Sequence, residues 1–71
     1  MREVKRYKVA EIWGIECATF VNDVTGEKQY SIEVIQTDLP WEEKVDGYYG
    51  IKDNAEANKL FKELVEKYRN L

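Results

Sequence analysis

The chain contains no histidine, one cysteine and one proline. Each scarcity closes off chemistry. Without histidine, and with Cys17 as its only thiol, it lacks a zinc ligand set, a Cys-His or Ser-His nucleophile pair and an intrachain disulfide. Gly14, Gly26, Gly47 and Gly50 are scattered, so no phosphate-cradling loop is present. No stretch approaches the roughly 18 apolar residues of a membrane span. Charges at Arg2, Glu3, Lys5, Arg6 and Lys8, with no apolar run behind them, are wrong for a signal peptide. A lone thiol fits a reducing compartment, so a cytoplasmic protein with no membrane association, no metal and no cofactor is expected.

Seventy-one residues make a single domain, 1–71, because two pieces of half that length could not each build a core. Apolar residues make up 44%, with two Trp, five Tyr and two Phe, which places the chain among globular sequences. A domain of this size buries only about 60% of its unfolded surface, and disulfides and metals are missing as supports. Self-association is therefore a live expectation. The net charge of −3 gives no global field toward nucleic acid.

The chain divides by periodicity. Residues 3–37 are rich in Val, Ile, Thr, Tyr, Phe and Trp, which favour strands. Val4 to Trp13 reads as the first strand, with Gly14 as a bulge or tight turn. Asp23-Val24-Thr25-Gly26 reads as a type I turn closing a hairpin, with Gly26 left-handed. Setting Asp23 opposite Glu27 pairs Phe20 with Tyr30, Ala18 with Ile32 and Cys17 with Glu33. Phe20, Ala18, Tyr30, Ile32 and Val34 would then line the core face, with Val21, Thr19, Cys17, Gln29, Ser31 and Glu33 opposite. Residues 38–43 have the look of one helical turn, Asp46-Gly47 of a turn, and Tyr48 to Ile51 of a short edge strand. From Asp53 the pattern becomes helical. Asp53 with Glu56 suits an N-cap, and Ala57, Leu60, Phe61, Leu64, Tyr68 and Leu71 form one apolar stripe flanked by Val65. Glu63 and Lys67 are an i, i+4 pair. The expected fold is α+β: a small antiparallel sheet of three to four strands packed on one C-terminal helix, in two layers.

A single helix covers one sheet face, so function is expected on the other. Thr19, Val21 and Ile35 on that face, and Trp41 in the irregular segment, are the candidate partner-binding residues. Trp41 is either a lid on the core or a projecting anchor. The leading expectation is a non-catalytic interaction domain binding a protein partner or a second copy of itself. The alternative is a single-stranded nucleic-acid module using Arg2, Lys5, Arg6 and Lys8 with exposed aromatics. Residues 1–8 hold four bases and one acid, but residues 9–51 hold nine acids against two bases, which weighs against that alternative. Catalysis is not expected: Glu42 and Glu43 are adjacent, and Glu16 beside Cys17 disfavours the thiolate.

Overall fold

The computed structural model describes residues 2–70. Four strands, β1 (Arg2–Lys8), β2 (Trp13–Val21), β3 (Lys28–Gln36) and β4 (Glu43–Ile51), precede one helix, α1 (Asn54–Arg69). The strands form an antiparallel meander in chain order, and α1 packs chiefly on β3, with β4 and β2 to either side. The shortest dimension, 15 Å, accommodates one sheet and one helix. The expected α+β fold is the one observed. No helix among the described residues is long and apolar enough to cross a membrane.

The helix starts where its chemistry dictates. Asp53 is the N-cap, its carboxylate accepting from the Ala55 N–H, and Ala57, Leu64 and Tyr68 are buried. Leu60, Phe61 and Val65 flank them against the core. Leu71, the last member of the expected stripe, lies outside the described residues. Lys67 reaches across to Asp46 of β4, 3.2 Å away, instead of pairing with Glu63.

The β2–β3 hairpin departs from expectation by one residue. Asn22 closes the loop in place of Asp23: its N–H donates to the Glu27 carbonyl, and its own carbonyl accepts from Gly26, both at 2.8 Å. Asn22 Oδ1 also accepts from the Val24 and Thr25 N–H groups, at 2.9 and 3.2 Å. The loop is thus four residues long, with Gly26 at φ +74° as its shape requires. Lengthening the loop by one residue exchanges the two faces of β2 and leaves β3 as expected. Thr19 pairs with Tyr30, Cys17 with Ile32 and Ile15 with Val34, all on the helix side, whereas Phe20 faces Gln29 and Glu16 faces Glu33 on the other. The core joins Ile15, Ile32, Val34, Ile51, Ala57, Leu64 and Tyr68. Phe20 is outside it and 41% exposed.

Three further expectations are corrected. The turn after β1 occupies residues 9–12, where Val9 and Ala10 donate to the Trp13 carbonyl; Gly14 sits inside β2, buried between Lys8 and Ile35. Residues 38–41 form bends with no helical turn. β4 begins at Glu43 and runs through Asp46-Gly47, accommodating them with bulges at both ends of its pairing with β3. Gly50, at φ +68°, supplies the left-handed residue of one bulge. Gly47 permits close approach: a Cβ there would stand 2.9 Å from the Ile32 carbonyl oxygen.

Candidate functional site

Alternation distributes the β1 side chains between two surfaces. Glu3, Lys5 and Tyr7 share the helix side with Thr19, Cys17 and Ile15; Arg2, Val4, Arg6 and Lys8 share the open side with Phe20, Ala18, Glu16 and Gly14. The open side is organised around charge. Glu16 and Glu33 are direct cross-strand neighbours, an arrangement that repels unless cations intervene. Two do: Arg6 lies 2.7 Å from Glu16 Oε2, and Lys44 lies 2.8 Å from Glu33 Oε2. Arg6 also binds Glu42, at 2.7 Å. These carboxylates raise the Arg6 guanidinium above its ordinary pKa, Glu16 first and Glu42 second. Glu33 does the same for the Lys44 ammonium. The Glu16 and Glu33 side chains are only 16% and 10% exposed, whereas Arg6 and Lys44 stay about half exposed, so the cations of this ladder cover the inner carboxylates and keep their own outer faces in water.

Apolar groups lie at the two ends of this ladder. At one end, the Arg2 guanidinium stands 5.2 Å from the centre of the exposed Phe20 ring. Phe20, Tyr49, Ser31 and Gly50 border a shallow depression there, with Val4 one pair further along β1. At the other end the β3–β4 loop brings Leu39, Pro40 and Trp41 around the same cleft as Ile35 and Arg6. Ile35 is 1% exposed. Trp41 projects, 58% exposed, and its indole N–H donates to Glu43 Oε2 at 2.9 Å.

The expected partner-binding residues therefore separate. Thr19 and Val21 are half-buried on the helix-side face, Thr19 lining a groove against α1, because the longer hairpin loop turned β2 over. Ile35 is on the open face but buried. Only Trp41 is both on that side and exposed. Phe20, Tyr49 and Val4 were missed. A count outward from Asn22, whose side chain can close a turn as Asp23 can, would have found Phe20. The candidate nucleic-acid cations also separate: Arg2, Arg6 and Lys8 share one face, Lys5 the other, and Arg6 is held by two carboxylates.

The helix-side groove, about 260 Å³, has Cys17, Thr19 and Ile32 at its base and Lys5, Tyr7, Asn58 and Phe61 around it. Tyr7 and Phe61 meet edge to face, ring centres 5.1 Å apart. Burial, and secondarily Glu16, pushes the Cys17 thiol above its ordinary pKa, so the thiol form dominates at neutral pH. No group of His, Cys, Asp or Glu capable of holding a metal occurs among the described residues. A third cluster secures α1 to β4: Asp46 Oδ2 accepts from Tyr68 Oη at 3.0 Å and Lys67 Nζ at 3.2 Å, while its Oδ1 accepts from the Gly47 N–H at 2.9 Å.

No protein-family model, curated protein or solved structure matches the chain. The fold defines a small two-layer α+β domain with one uncovered sheet face.

Proposed function

We propose that the chain is a non-catalytic interaction domain of the cytoplasm that docks through its open sheet face, with a second copy of itself as the partner. The observation that carries this reading is the placement of exposed Phe20, Tyr49 and Val4 at one end of that face and exposed Trp41 at the other. Between them the ladder has already paired its charges, so burying it exposes few unmet ions to a partner. The face carries Arg2, Arg6, Lys8 and Lys44 against Glu16, Glu33 and Glu42, close enough to neutrality that two copies attract as readily as they repel.

Size supports a weak dimer. Four strands about 4.8 Å apart, of seven to nine residues at about 3.3 Å each, span roughly 500–600 Å², so two copies would bury about 1,000–1,200 Å², the lower bound for a specific interface. The lone thiol suits the proposed location.

Light scattering coupled to size exclusion, from low to high micromolar protein, tests the reading. A mass rising toward twice 8.4 kDa is expected, and Phe20→Lys or Tyr49→Lys should hold the protein monomeric with its helical circular dichroism intact. A monomer at every concentration overturns the dimer. Tryptophan quenching by a single-stranded oligonucleotide at low salt, fading as salt rises, would transfer the face to nucleic acid.

A further inference from the structure

The two edges of the sheet are unlike. β4 pairs with β3 through two register shifts, so its outer ladder is broken. β1 pairs with β2 in unbroken register from Arg2 to Lys8, and its outer side is an edge. All seven β1 residues are exposed. The helix packs on β2, β3 and β4 and does not extend over β1, which leaves the groove between β1 and α1 open at the side, with the paired rings of Tyr7 and Phe61 at its rim. Such an edge accepts a further strand through main-chain hydrogen bonds, while alternate side chains of the newcomer fall on the two faces.

Charge selects the occupant. Arg2, Lys5 and Lys8 are exposed and make no ion pair among the described residues, Arg2 standing over the Phe20 ring; of the four β1 cations only Arg6 is ion-paired there. A second copy of β1 would set cations against cations across the two-fold axis, the device by which edges resist self-pairing. The same row attracts carboxylates. We propose that β1 is a docking edge for an extended acidic segment of another protein. Its carboxylates lie beside Arg2 and Lys8 on the open side, and its β-branched side chains lie toward Tyr7 and Phe61 on the helix side. The main-chain groups of the edge remain free when a second copy covers the open face, but Arg2 and Lys8 belong to both surfaces, so a dimer and the acidic segment would compete for those two cations.

The test is an amide NMR titration of the full chain with a blocked peptide of β1's length in which Glu and Val alternate. Three other probes run in parallel: the same composition with its Glu residues grouped at one end, the alternating peptide with Lys for Glu, and an oligothymidylate. The alternating acidic peptide should shift β1 amides and slow their hydrogen exchange, leaving Trp41 at the far end of the open face unmoved. Its affinity should fall about tenfold or more in the Arg2→Glu, Lys8→Glu double variant, whose circular dichroism should match the parent, and should weaken as salt rises. Equal binding of the grouped peptide would reduce the effect to unstructured charge attraction and overturn strand addition. Shifts confined to the open face, binding of the oligonucleotide in preference to the peptide, or no saturable shift at millimolar peptide would each overturn it too.

Discussion

Replacing Tyr68 with phenylalanine removes one oxygen and leaves the ring where it packs, its centre 5.0 Å from that of Trp13. The lost atom donates to Asp46 Oδ2 at 3.0 Å. Hydrogen bonds to a charged acceptor contribute about 1.5–3 kcal/mol. The Asp46 side chain is 29% exposed, so water recovers part of this, and a loss of about 1–2 kcal/mol is expected. For a domain of this length each kcal/mol moves Tm by about 4–8 °C, so Tyr68→Phe should melt roughly 4–16 °C below the parent at pH 7. The pH dependence has a definite sign. Donation from Gly47 first, then Lys67, holds the Asp46 carboxyl below its ordinary pKa, with burial opposing and Tyr68 adding to the lowering. Its contribution is whole above the unfolded value of about 3.9 and is lost as pH falls through the lower folded value. Tyr68 is raised above its ordinary value by burial and by the same hydrogen bond. Its contribution is whole below about pH 10 and is lost as pH climbs through the folded value. Circular dichroism melts should therefore show a constant gap between parent and Tyr68→Phe from about pH 5 to 9, closing under acid. In an Asp46→Asn background the gap should shrink by half or more. A gap under about 1 °C at pH 7, or one undiminished in the Asn background, would refute the assignment of this bond to stability.

Two more perturbations probe the sheet. Gly47→Ala forces a Cβ to within 2.9 Å of the Ile32 carbonyl oxygen in an inner strand, and should cost about 2–3 kcal/mol. Gly26→Ala meets no neighbour but must hold φ near +74°, costing about 1 kcal/mol. Thermal melts giving the opposite order would count against the close approach of β3 and β4. Cys17 should alkylate with iodoacetamide more slowly than a free thiol at pH 8, with a rate still rising above pH 9; a plateau below that pH would contradict the burial that raises its pKa.

The site was legible only in part, for a reason visible in single residues. Trp41 was identified because a large aromatic beside the only proline stands out of any regular pattern. Phe20 and Tyr49 were not, since both belong to strands and differ from core aromatics only by which way the strand faces. The ladder of Arg6, Glu16, Glu33 and Lys44 was equally hidden: these residues are 10 to 38 positions apart, and only strand order brings them side by side.

What the amino-acid order determined by itself is local. Asp53 as cap, the i, i+3, i+4 stripe and the left-handed Gly26 follow from contacts within a few residues, and so do the helix and the hairpin, and with them the α+β class. Facing was decided elsewhere. A hairpin closed by Asn22 and one closed by Asp23 differ by a residue of loop and little in local energy, yet they turn opposite sides of β2 toward the helix. The burial of Ile15, Cys17 and Thr19 beneath α1, and of Ile35 in the cleft at the β3–β4 loop, belongs to the assembled molecule. Strand alternation has period two, so a choice among near-equal turns becomes a choice of face, and only packing across the whole sheet selects between them.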